Sequence, residues 1–206
     1  MFATDAPGLV LGIDPGLSRC GFALIEPGRR PEIVEYGVVR TDAADELAVR
    51  LGSLHRSVDA LIARHRVATM AIERVFFSAN VSTAISVANA AGVVMALAAL
   101  RRIPVTEYTA THVKRSVCGD GAADKAQVQF MVRTLCRLKE TPRPPDAADA
   151  IAIALCHLQT AGSFGQVARG HDARRLGNTR TNMTSGLEAA IDRAISRDEV
   201  AKRPGG

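Results

Sequence analysis

A mixed α/β fold, one five-stranded sheet flanked by helices, is what the 206-residue sequence predicts. Three observations point to it. Short runs punctuated by Gly or Pro recur at Leu9–Asp14, Cys20–Ile25 and Glu32–Arg40, which reads as an antiparallel meander. Apolar spacing of three and four takes over from Ala43. Two further short runs, Ala68–Ile72 and Pro104–Tyr108, then alternate with helical stretches.

The elements follow in order. Leu9-Val10-Leu11-Gly12-Ile13-Asp14 stops at Pro15-Gly16, as a buried strand entering a turn does. Cys20–Ile25 ends before Pro27-Gly28, and Glu32–Arg40 alternates loosely. Leu47, Leu51, Leu54, Val58, Leu61 and Ile62 mark a helix from about residue 43 to 66. Ala68–Ile72 is a fourth strand with Glu73 at its C-terminal end. A helix over Val81–Leu100 and a fifth strand over Pro104–Tyr108 come next. Asp124–Leu138 reads as a helix with Val128, Met131, Val132 and Leu135 on one face. Asp146–Leu158, after Pro142, Pro144 and Pro145, is the last helix, giving the order βββαβαβαα. Beyond Ala161 the apolar period is lost. Residues 1–161 are therefore expected to form one domain, and 162–206 a basic, flexible tail. Within that tail 162–184 reads as disordered, and Leu187–Val200 as a short helix capped by Ser185.

A hydrophobic share of 47% with 23% charged residues is globular composition. The apolar stretch Val87–Leu100 is interrupted by Asn89, followed by Arg101-Arg102, and falls short of the ~20 residues a membrane span needs. The first residues lack a basic run and include Asp5, unlike a signal peptide. A cytoplasmic protein with no membrane partner is expected. Cys20, Cys118, Cys136 and Cys156 form no C-x-x-C, so neither a disulfide scaffold nor structural zinc is expected. The net charge of +5, of which +3 falls in residues 162–206, suits a polyanionic partner. The 81–100 helix is apolar all round and must be buried all round, by the chain's own helices or by a second copy. The reading adopted is a homodimer seam, in which Val94→Glu should unfold the protein or yield monomers.

Four carboxylates stand where elements begin or end. Asp14 closes the first strand and Glu73 the fourth, while Asp146 and Asp149 open the last helix three residues apart, on one face. Singly each has an ordinary explanation. Asp14 can shape its turn, Asp146 and Asp149 suit a helix N-terminus, and Glu73 can pair with Arg74 or Arg101. If the first and fourth strands are neighbours, all four converge at one sheet edge. Converging carboxylates call for cations, and hard oxygen ligands suit Mg²⁺ or Mn²⁺. Two such ions ~3.5–4 Å apart can drive phosphodiester hydrolysis.

Four blocks, LGIDPGLSRCGFALIE, AIERVFFSANVSTAISV, VKRSVCGDGAADKAQVQFMV and PPDAADAIAIALCH, resemble in order and spacing the signature segments of RuvC, the bacterial Holliday-junction resolvases, over residues 9–160. The resemblance implies an RNase H-like fold, a homodimer, and Mg²⁺-dependent paired nicking of four-way DNA junctions that leaves 5′-phosphate and 3′-hydroxyl ends. Two Mg²⁺ per site are implied, with Mn²⁺ as a substitute. The family's catalytic carboxylates fall on Asp14, Glu73, Asp146 and Asp149. Asp14 would bridge the metals, Glu73 and Asp149 would complete one shell each, and Asp146 would bind metal or orient water. Phe76 matches an aromatic at the junction centre, whereas Phe77 reads as core. Lys114 and Lys125 match lysines of the DNA groove. The RuvA–RuvB branch-migration complex is an implied partner, and the nucleoid the implied place of action. Two departures stand out: no basic residue lies in Ser78–Ser82, and Ala122 stands where many relatives have Arg. Arg169, Arg174, Arg175 and Arg180 of the tail are possible compensation, against a simply solvated tail. His112 and His157 read as structural. The competing readings are an inactive junction-binding relative and an actin-like phosphotransferase. The intact quartet argues against the first and the short chain against the second.

Overall fold

The computed structural model describes residues 8–75 and 81–168. The three expected strands at the start are β1 (Leu9–Asp14), β2 (Arg19–Glu26) and β3 (Glu32–Arg40), paired antiparallel in sequence order. Strands β4 (Val67–Glu73) and β5 (Val105–Tyr108) add in parallel on the other side of β1, giving the order β3-β2-β1-β4-β5. Helices α1 (Leu47–Arg64) and α2 (Val81–Leu100) flank β4, as the long crossovers between parallel strands require. Helices α3 (Ala110–Cys118), α4 (Lys125–Leu135) and α5 (Pro145–Ala168) follow β5. The chain divides into a unit of Met1–Thr160, which holds the whole sheet, and a unit of Ala161–Gly206, of which 161–168 are the end of α5.

Side chains alternate faces along a strand, and two cores form accordingly. Leu11 and Ile13 of β1, with Met70 and Ile72 of β4, pack with Leu54, Val58, Leu61 and Val94 of α1 and α2. Val10 and Ala71 face the other way, into a core with Val113, Val128, Val132, Ile151 and Leu155 of α3, α4 and α5. Asp14 and Glu73 have the parity of Val10 and Ala71. Both therefore belong to the α3–α5 face.

Three expectations change. Helix α3 forms where the sequence predicts no element. Its segment, ATHVKRSVC, is polar, with only Val113 and Val117 buried. It is held by its ends instead: the Thr109 side chain accepts from the His112 N–H, and Gly119 closes it at φ 80°. The last helix continues to Ala168 rather than Leu158, so 162–168 are helical where the sequence predicts disorder.

The third change concerns α2. Thr83–Leu100 has a mean hydropathy of 1.9 and is long and apolar enough, by composition alone, to cross a membrane. It nonetheless lies on the body of the protein, with Ala84, Ala90, Ala91, Val94, Leu97 and Ala98 buried. Val94 is 0% exposed and faces the protein's own core, so Val94→Glu would probe folding and not a seam. The outward face carries Ile85, Gly92, Ala96 and Leu100, with Ile85 50% and Leu100 73% exposed.

All four cysteines are free; Cys20 and Cys156 are buried, and Cys118 and Cys136 are half-buried. The readings placed on Phe76, Phe77 and residues 78–80, and on 169–206 with its helix at Leu187–Val200, lie outside the described residues.

Candidate active site

The register of the parallel pair sets two of the four carboxylates side by side. Ile13 of β1 pairs with Ile72 of β4, so the next residues, Asp14 and Glu73, emerge together at the carboxyl end of the sheet. On the other flank Asp14 pairs with Gly21 of β2.

Helix α5 supplies the other two. Pro145 is its first residue, where a missing N–H costs nothing, and Asp146 occupies the first turn, where the helix dipole favours an anion. Two glycines let this helix lie directly on the strands. A Cβ on Gly12 would come within 2.3 Å of the Ala150 carbonyl oxygen, and one on Gly21 within 2.1 Å of that of Asp146. Ala147, Ala148, Ala150, Ala152 and Ala154 are all buried at this contact-rich stretch. Small side chains on both surfaces thus bring the start of α5, with Asp146 and Asp149, over the ends of β1 and β2.

The electrostatics report the convergence. The Asp14 carboxyl is pushed up to about 8, first by burial, then by the charges of Asp149, Glu73 and Asp146, with Lys125 opposing. Glu73 is raised as well, by burial first and Asp149 second, against Lys114 and Lys125. The two helix carboxylates are each held by a cation. The Lys125 Nζ donates to Asp149 Oδ2 at 2.8 Å, and this bond raises the Lys125 pKa. The Arg19 Nε donates to Asp146 Oδ2 at 2.9 Å and its Nη2 to the same oxygen. Burial works upward on Asp146, but the Arg19 contact, a backbone hydrogen bond and the charge of Lys125 together outweigh it and leave the carboxyl below its ordinary pKa. Among the described residues no three acidic, histidine or cysteine side chains form a ready-made metal cage. The quartet is a concentration of negative charge, partly balanced by side-chain cations.

The lysines are delivered by capped helices. In α4 the Asp124 side chain accepts from the Gln127 N–H, and the Gln127 side chain accepts from the Asp124 N–H, both at 2.8 Å. This box fixes Lys125 as the first helical residue. Lys114 lies in α3 and acts on Glu73 through its charge. Gly119-Asp120-Gly121 lies in the turn between them, with the Asp120 side chain accepting from the Ala122 N–H at 2.9 Å. His157 is structural: its Nδ1 lies 3.0 Å from the Tyr108 hydroxyl and its Nε2 3.3 Å from Thr69 Oγ1. His112 packs edge-on against Tyr108.

Arg19 is the site residue that sequence reasoning missed. A signal was present. The Asp14–Gly21 pairing follows from a tight β1–β2 turn, and a basic residue two before Gly21 must return beside Asp14.

The family model for the crossover junction endodeoxyribonuclease RuvC matches residues 10–157. The RuvC of Salinispora arenicola is 50% identical over 173 residues, covering 83% of this chain and 99% of that protein. The RuvC of Parafrankia sp. is 48% identical over 170 residues, covering 82% and 96%. The solved structure of Thermus thermophilus RuvC in complex with Holliday junction substrate is 35% identical, with a TM-score of 0.71, over 75% of this chain and 94% of that one. The mixed sheet with its flanking helices is thus the RNase H-like fold of these proteins. The chain belongs to the RuvC family of crossover junction endodeoxyribonucleases.

Proposed function

We propose that this protein resolves four-way DNA junctions by paired, symmetric nicks that leave 5′-phosphate and 3′-hydroxyl ends. The observation that carries this is the convergence of Asp14, Glu73, Asp146 and Asp149 at one sheet edge, in a chain of this family. Residues 1–161 are the nuclease domain and 162–206 a basic tail. The protein works in the bacterial cytoplasm, at the nucleoid, alongside the RuvA–RuvB branch-migration complex.

The donor set fits Mg²⁺, with Mn²⁺ as a substitute: four hard carboxylates, and on Asp14 and Glu73 no ion-paired side chain among the described residues. Asp14 would bridge two ions, with Glu73 and Asp149 completing one shell each and Asp146 binding metal or orienting water. Such ions, when bound, lower the pKa of a water and neutralise charge on the leaving oxygen. Incubation with synthetic four-way junctions and with linear duplex tests the reading. Junction nicking in Mg²⁺ that stops in EDTA is expected. Equal cutting of duplex, or cutting in EDTA, would contradict it.

Lys114 and Lys125 contact phosphates, and Phe76 stacks at an opened crossover, where one base–aromatic contact is worth ~1–3 kcal/mol. Lys114→Ala and Lys125→Ala should each reduce the salt slope of junction binding by about one unit. Phe76→Ala should leave that slope unchanged. It should slow cleavage of fully paired junctions while sparing junctions already unpaired at the centre. Equal damage on both substrates would instead mark Phe76 as a core residue.

The homodimer reading rests on the outward face of α2, where Ile85, Gly92, Ala96 and Leu100 are exposed. A two-fold junction needs two sites related by one axis. Ala96→Glu should give folded monomers in sedimentation, with coordinated cutting lost. A wild-type protein that sediments as a monomer at micromolar concentration would contradict the seam.

A further inference from the structure

We propose that Arg19 is a built-in cation of the metal-free site, which holds Asp146 and has to give it up when a divalent ion draws on that carboxylate. Arg19 thereby sets the metal concentration at which the site fills. The inference rests on reading the quartet as a metal-dependent nuclease site.

The contact is specific. Two nitrogens of one guanidinium, Nε and Nη2, donate to a single oxygen, Asp146 Oδ2, and among the described residues no other carboxylate is ion-paired to Arg19. The arginine is also delivered from a fixed backbone. The Thr41 hydroxyl donates to the Leu17 carbonyl at 2.6 Å, and the Thr41 N–H to the Ser18 carbonyl at 3.3 Å. Arg50 of α1 ties both partners, donating from Nη2 to Ser18 Oγ at 2.6 Å and from Nε to Thr41 Oγ1 at 3.0 Å. The loop from Asp14 to Arg19 is thus braced against α1, and the guanidinium reaches Asp146 from it.

The cations are unevenly shared. Asp146 has Arg19 and Asp149 has Lys125, whereas Asp14 and Glu73, at the strand ends, have no ion pair among the described residues. A divalent ion on the strand carboxylates meets no bonded competitor. One that draws on Asp146 does. The pair is open enough to yield, with the Arg19 side chain 41% exposed and that of Asp146 25%. Ion pairs of this kind are weak and exchangeable. Arg19 is a positioning residue in this scheme, acting through Asp146.

Mn²⁺ titration of the full-length protein by calorimetry, without DNA, tests this. Arg19→Gln should bind its weaker Mn²⁺ about two- to fivefold more tightly than wild type, because one ion-pair competitor is removed. Arg19→Lys should fall between them, keeping the charge and losing the two-nitrogen grip. The Mg²⁺ midpoint of junction nicking should shift to lower concentration in the same order. A merely structural brace would move affinity the opposite way, so unchanged or weaker Mn²⁺ binding in Arg19→Gln, with wild type binding normally, overturns the role of Arg19 alone. A wild type that binds no Mn²⁺ overturns this inference together with the reading of the site.

Discussion

Asp14→Asn is expected to bind four-way junctions as wild type does while nicking them at least ~10³-fold more slowly, about 4 kcal/mol of lost transition-state stabilisation. The substitution removes the central carboxylate and leaves Lys114 and Lys125 in place. It should also stabilise the metal-free protein. Folding takes Asp14 from an ordinary 3.8 to about 8, chiefly by burial, so between those values the native state holds a proton that the unfolded chain has released. The native state therefore loses stability as pH rises from about 4 to about 8. Asn carries no such penalty. In EDTA, the melting temperature of Asp14→Asn should match wild type near pH 4 and exceed it increasingly up to pH 8, by on the order of 3–5 kcal/mol in stability. Saturating Mg²⁺ should raise the melting temperature of wild type and have little effect on the variant. A variant that nicks at near-normal rate would remove Asp14 from the site. One that melts below wild type at pH 8 would contradict the electrostatic description.

Gly21→Ala is the second large effect, and it acts without touching a charge. The new Cβ would stand 2.1 Å from the Asp146 carbonyl oxygen and 2.7 Å from its carbon. Both are backbone atoms, so the start of α5 has to lift away from β2. Overpacking of this kind costs ~1–3 kcal/mol in stability. Displacing two of the four carboxylates by even 1 Å should cost a further ~10²-fold in nicking. Gly52 of α1 provides the contrast. Its Cβ would meet only the flexible end of Arg56, at 3.4 Å, so Gly52→Ala should stabilise by about 0.5–1 kcal/mol and leave nicking unchanged. Comparing the two variants by urea denaturation and by single-turnover nicking separates misplacement of α5 from loss of stability. Normal nicking by a folded Gly21→Ala protein would show that α5 is not held by this contact.

Asp14 and Glu73 were legible because each ends an apolar run, and two buried parallel strands have only one carboxyl edge at which to present them. Asp146 and Asp149 were legible as a same-face pair, but nothing in their spacing tells how close α5 comes to the sheet. That distance is set by what is missing at Gly12 and Gly21, and an absent side chain leaves no hydrophobic period to detect. Helix α3 escaped for a related reason, since Val113 and Val117 alone cannot mark a period and its limits are set by Thr109 and Gly119. Val94 shows the opposite failure. An all-apolar helix has no moment to distinguish the inner face from the outer, so its choice as a seam residue could not be checked without the packing of α1. Arg19 was hidden because its partner lies 127 residues away, and only the β1–β2 pairing and the seating of α5 bring them together.

The measurement that bears most directly on the site is strand mapping on a synthetic four-way junction. Each strand is labelled in turn, and wild type is compared with Asp14→Asn in Mg²⁺. The expected result is one nick in each of two opposed strands, at symmetric positions, in products that a ligase reseals without further processing, and no nicks from Asp14→Asn. Nicks scattered over all four strands, products that resist ligation, or an Asp14→Asn protein that cuts like wild type would contradict the assignment of Asp14, Glu73, Asp146 and Asp149 as the resolving site.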